Sequence, residues 1–63
     1  MRAIKRFVGD KIAFPVDGAV AEGTLVAVDR TGYIWVSDVF CNNTDLGDMI
    51  LEMPVWVRRL PSE

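Results

Sequence analysis

The stretch that most restricts the fold is Gly9-Asp10-Lys11-Ile12-Ala13-Phe14, followed by Glu22-Gly23-Thr24-Leu25-Val26-Ala27-Val28-Asp29 and then Tyr33-Ile34-Trp35-Val36. β-Branched and aromatic residues dominate runs too short for helices, and turn-forming pairs separate them. Gly9-Asp10 opens the first run, Asp17-Gly18 is a turn signal, and Asp29-Arg30-Thr31-Gly32 is a polar turn. The pattern predicts an all-β meander of about five short antiparallel strands, over 11–15, 19–28, 33–39, 49–53 and 58–60. Pro15 has no N–H for a ladder and ends the first strand or puts it at an edge. Gly23 inside the second predicts a bulge or sharp bend. Residues 40–48, with Asn42, Asn43, Asp45 and Gly47, read as the longest loop. Pro54 stops the fourth strand, and Val55-Trp56-Val57 suits a 3-10 turn before the last. Met1, Ile4, Phe7 and Val8 suit one helical turn or a lead-in strand. Residues 1–8 thus form an N-terminal arm on a single domain spanning 1–63.

Size sets the energetics. A chain of 63 residues buries only about 60% of its unfolded surface. Its core supplies about 3–5 kcal/mol, and domains this small usually add a staple. One cysteine, Cys41, excludes an intrachain disulfide, and the absence of histidine leaves poor zinc ligands. Oligomerisation is the remaining staple, and a hydrophobic content of 51% points the same way. The N-terminus has no apolar signal-peptide core, and no run approaches the ~18 apolar residues of a membrane span. The expected setting is cytoplasmic, off the membrane, with Cys41 reduced.

The faces of the strands carry a further inference. Alternation puts Leu25 and Ala27 on one face of the second strand and Val26 and Val28 on the other. In the third strand it separates Ile34 and Val36 from Tyr33 and Trp35. A sheet with one wet face alternates apolar and polar residues; here both faces are apolar. Either the barrel is thoroughly covered or the outer face is an interface, and the expected explanation is the interface, with Val26, Val28, Tyr33, Trp35 and Phe40 as its residues. The aromatics have two other readings. Phe14, Trp56 and one of the others fill the core, or several of Tyr33, Trp35, Phe40 and Trp56 cage a methylated cation.

Charge is uneven although the net is only −2. Arg2, Lys5 and Arg6 lie near the start, Arg58 and Arg59 near the end, and acidic residues fill the middle. If the ends meet, these five cations form a patch able to grip phosphates, which is the nucleic-acid reading; the alternative is a solvated terminus paired with nearby acids. No catalytic constellation stands out. Cys41 has no histidine to act as its base. Asp45, Asp48 and Glu52 lack the spacing of a calcium loop and read as solvated acids.

Gly9-Asp10-Lys11-Ile12, Glu22-Gly23-Thr24-Leu25-Val26 and Met53-Pro54-Val55 resemble the SH3-like small barrels of KOW and Tudor type, over about residues 8–60. The same segments resemble the core of the plasmid-encoded type II dihydrofolate reductases, homotetramers of such barrels. That family carries a Val-Gln-Ile-Tyr run before a Pro-Val pair. Here Ile50-Leu51-Glu52-Met53 precedes Pro54-Val55, so the amide and the phenol are missing. The family's lysines fall near Phe14-Pro15-Val16 and are missing too. The resemblance therefore implies the barrel and argues against the reductase activity.

The expected function is a non-catalytic, self-associating module that binds a protein partner, with no cofactor and no metal. Its size and lack of catalytic groups suit an accessory protein of a phage or other mobile element. The alternatives are a nucleic-acid-binding barrel using the basic termini and a diverged reductase-like enzyme.

Overall fold

The computed structural model describes residues 3–52 and 56–61, with side chains from Lys5 onward. A 3-10 helix, Ala3–Phe7, leads into five strands: β1 (Lys11–Val16), β2 (Ala19–Val28), β3 (Tyr33–Cys41), β4 (Thr44–Glu52) and β5 (Arg58–Arg59). All neighbours pair antiparallel in one sheet of order β4-β3-β2-β1-β5, so the chain meanders outward and then returns its last strand beside its first. This is an all-β architecture compatible with a small barrel.

Each hairpin has a local cause. Asp17 and Gly18, with φ of 48° and 82°, join Val16 to its partner Ala19. Two consecutive positive φ values mark the turn whose twist matches the strands it connects, and Asp-Gly accepts them readily. Between β2 and β3, the Thr31 N–H donates to Asp29 Oδ1 at 3.1 Å, and the Gly32 N–H to the Asp29 carbonyl at 3.2 Å. Gly32 then takes φ 101° and the Asp29 N–H closes onto the Tyr33 carbonyl at 2.8 Å.

The third hairpin corrects the expected loop over 40–48. Asn42 and Asn43, with φ of 53° and 64°, make a two-residue turn between the paired Cys41 and Thr44. Asparagine tolerates this region better than other non-glycine residues. β4 therefore begins at Thr44 rather than Met49, and β3 runs on to Cys41. At the far end, Val55 of the expected 3-10 turn lies outside the described residues, as do Met53 and Pro54. Trp56 and Val57 are irregular, not helical.

The core is Ile12, Phe14, Ala21, Leu25, Ile34, Val36 and Val39, with Phe7, Val16, Val28, Met49, Leu51 and Val57 packed around it. β2 reaches this core from both of its neighbours because it bends. Its register with β3 shifts between Glu22 and Thr24, around Gly23, and again between Leu25 and Ala27. A Cβ on Gly23 would lie 2.6 Å from Val36 Cγ1, 3.0 Å from the Ser37 carbonyl oxygen and 3.1 Å from Val39 Cγ2. Only glycine lets β2 cross β3 so closely. The bend expected at Gly23 is present.

The second shift corrects the face assigned to Val28. An extra residue in one strand breaks the two-residue alternation. Val26 is exposed, while Val28 is half-buried against the core. Gly23→Ala should therefore destabilise the fold by about 1–3 kcal/mol, the usual cost of overpacking. Chemical denaturation will measure it, and an unchanged midpoint would mean that β2 does not press on Val36 and Val39.

Candidate protein-interaction surface

β2, β3 and β4 turn one face to the core and the other outward. Along β3, Ile34, Val36 and Val39 point in while Tyr33, Trp35 and Phe40 are exposed. Along β4, Met49 and Leu51 pack inward and Asp48, Ile50 and Glu52 face out. Register aligns the outward residues across strands: Trp35 sits opposite Ala27 on β2 and Ile50 on β4, and Tyr33 opposite Glu52. Val26, Trp35 and Ile50 leave 51%, 47% and 60% of their surface in solvent.

These three side chains line a shallow concavity of about 230 Å³ together with Met49, Ser37 and Asp48. Its walls are mainly apolar. Asp48 Oδ1 accepts the Asp38 N–H at 3.4 Å, at a point where Asp38 has φ 53° and the β3–β4 register slips. The apolar centre thus has a carboxylate at each end on β4: Asp48 on one side, and Glu52, opposite Tyr33, on the other.

The structure places Val26, Tyr33 and Trp35 on this surface and moves Val28 off it. Phe40 faces outward farther along β3, opposite Glu22 and Asp45. It is separated from Trp35 by the irregularity at Asp38 and does not line the same concavity. Phe14 is in the core, whereas Trp56 is partly exposed, with the Arg58 guanidinium 6.0 Å from its ring centroid. Ile50 and Asp48 complete the surface and are absent from the sequence-based interface. The unbroken apolar run 49–51 hides which of its members points outward.

Arg58 and Arg59 lie beside the start of β1. β5 pairs with β1 through Ile12–Arg59 and Ala13–Arg58, and the Leu60 N–H donates to the Lys11 carbonyl at 2.9 Å. Asp10 ties this strand to the 3-10 helix that carries Lys5 and Arg6. Its N–H donates to the Phe7 carbonyl at 2.8 Å, and its Oδ2 lies 3.4 Å from Arg59 Nε. A second, more polar concavity of about 310 Å³ opens at this junction, over Gly9, Asp10, Lys11, Thr24, Arg59 and Leu60. The Asp10 carboxylate therefore engages Arg59 at this junction. Arg6 lies over the Phe7 ring at 6.0 Å; Arg2 lies outside the described residues.

Cys41 is half-buried at the end of β3, its thiol 3.8 Å from the Val20 carbonyl, a weak S–H contact. Asp45 Oδ1 accepts the Gly47 N–H at 2.9 Å, a local turn contact. No group of three or more potential metal ligands occurs among the described residues. No described helix is long and apolar enough to cross a membrane. No protein-family model matches the chain, and no curated protein matches it in sequence.

Trp35 and Ile50 contribute little to the core, so Trp35→Ser and Ile50→Ser should change stability by no more than about 0.5 kcal/mol. Phe14→Ala should cost about 3–5 kcal/mol, comparable with the whole stability of a domain this size. Thermal melts of the three variants compare them directly; a large loss for Trp35→Ser would make that ring part of the core.

Proposed function

We propose that the chain is a non-catalytic protein-interaction module on an SH3-like small barrel, which self-associates and binds a polypeptide through the outer face of β2, β3 and β4. The barrel assignment draws on the meander, the bent second strand and the return of β5 to β1, which together match that family's plan. The observation that carries the function is the Val26–Trp35–Ile50 surface. It is apolar, concave and exposed, on a chain whose core is already filled by other residues. Contiguous apolar surface rimmed by polar groups is characteristic of contact sites, and tryptophan is prominent among binding anchors. Nothing comparable supports catalysis. Asp45 and Asp48 on β4 engage backbone N–H groups, Glu52 faces solvent, and among the described residues the Cys41 thiol meets the Val20 carbonyl.

The test is affinity capture with wild-type protein and Trp35→Ala side by side. The reading expects a polypeptide retained by the wild type and lost with the variant, while the variant's melting temperature is unchanged. Equal retention by both proteins would refute it.

Arg58 over Trp56 favours nucleic acid as the second reading, because a ring and a guanidinium side by side suit a base and its phosphate. A gel shift with single-stranded DNA at low salt, where phosphate contacts are strongest, should show no complex if the carboxylate of Asp10 and the acidic β4 dominate. A salt-sensitive complex lost in Arg58→Gln would establish the second reading instead.

A further inference from the structure

The two outer strands of the sheet carry opposite charge. β4 presents Asp45, Asp48 and Glu52, and residues 31–57 contain no lysine or arginine. β5, at the other end of the strand order, is Arg58–Arg59, preceded by the partly exposed Trp56. Arg59 is engaged by Asp10, and among the described residues Arg58 has no ion-pair partner. From this asymmetry we infer that the contact surface takes a second copy of the chain head to tail: the Val26–Trp35–Ile50 face of one copy, with Asp48 and Glu52, receives the Trp56–Arg58 end of the next. The inference rests on the proposed contact face and adds its occupant.

Symmetric alternatives are opposed by charge. If β4 paired with β4 of another copy in full antiparallel overlap, Asp48 would face Asp48. Like charges directly opposed destabilise a ladder. Face-to-face packing of two Trp35 surfaces would bring Asp48 and Glu52 from both copies into one contact, and desolvating carboxylates beside one another is costly. The apolar patch is also small. Four half-exposed side chains, Val26, Tyr33, Trp35 and Ile50, offer on the order of 400 Å², about half of the ~800 Å² that each partner buries in a stable interface. The Trp56–Arg58 end supplies what is missing: an indole for the concavity and a forked cation for the carboxylates. A contact between two different surfaces repeats, so it builds a ring or an open chain.

Sedimentation of the purified protein tests this over a range of concentrations at about 0.1 M and about 1 M sodium chloride, between which the Debye length falls from ~10 Å to ~3 Å. The expected result is concentration-dependent association at the lower salt, weakened about tenfold or more at the higher. Asp48→Asn/Glu52→Gln and Arg58→Gln should each be monomeric alone. Mixed in equal amounts they should form a dimer and nothing larger, because each retains one intact half of the contact; this rescue also shows that both variants are folded. Association strengthened by salt, or retained in Arg58→Gln, would overturn the inference in favour of a symmetric contact. A wild type that stays monomeric at low salt would also overturn it. If Trp35→Ala still abolishes capture of another polypeptide, the face stands and only its occupant is wrong.

Discussion

β2 must pair with β1 along one edge and β3 along the other while feeding one small core, and a straight strand cannot do both. The missing side chain at Gly23 removes the obstacle. At 2.6 Å from a would-be Cβ, Val36 Cγ1 occupies space that any other residue would need. Val36 and Val39 in turn belong to the buried cluster with Ile12, Phe14 and Leu25. The close crossing is thus what brings the β1 side and the β3 side of the sheet onto common core residues. The slip between Leu25 and Ala27 follows within the same strand. It exposes Val26 and turns Val28 inward. The irregularities that let the sheet curve therefore also decide which residues form the outer surface.

No element among the described residues covers that surface. The described strands form one layer around the core, and among the described residues no helix lies on the outside of β3. The residues between Val26 and Ile50 on the outer face are held by the same backbone ladder as the core residues between them. Trp35 cannot turn inward without taking Ile34 and Val36 out. The exposure of the ring is consequently a property of the register rather than of a loose side chain. A rigid strand presenting a large aromatic residue orders little on binding, which lowers the entropic cost of a contact.

The parts of the molecule legible in the sequence are those specified by adjacent residues. The Asp17-Gly18 turn, the bend at Gly23 and the alternation through Ile34 and Val36 each depend on residues a few positions apart. The first half of β4 was not legible. Thr44-Asp45-Leu46-Gly47-Asp48 has the composition of a loop, and it is a strand because β3 supplies its partner after the Asn42-Asn43 turn; strand preference depends heavily on such context. The inward turn of Val28 was hidden for a related reason, since the slip between Leu25 and Ala27 has no glycine to announce it. Of the outer face, Val26, Tyr33 and Trp35 could be read from alternation; Phe40 could not, because it shares its parity with Ile34 and Val36 and points outward only after the irregularity at Asp38. Ile50 could not, because Met49 and Leu51 flank it with equal hydropathy and give no phase.

The acids of β4 resolve a conflict that the fold creates. An edge strand of nine residues beside an apolar face is open to indiscriminate pairing with other strands. Removing the apolar residues would end that hazard but would also remove the exposed apolar face. Asp45, Asp48 and Glu52 instead leave the face in place and restrict what can approach it. A strand carrying like charge is repelled, whereas an element combining an apolar group with a cation gains on both counts. The opposite edge, two residues long, carries arginine beside tryptophan. Its shortness limits ladder pairing there as effectively as charge does on β4. Approach at either edge is therefore governed by side-chain chemistry, which gives a single sheet two chemically distinct ends and gives any association a direction.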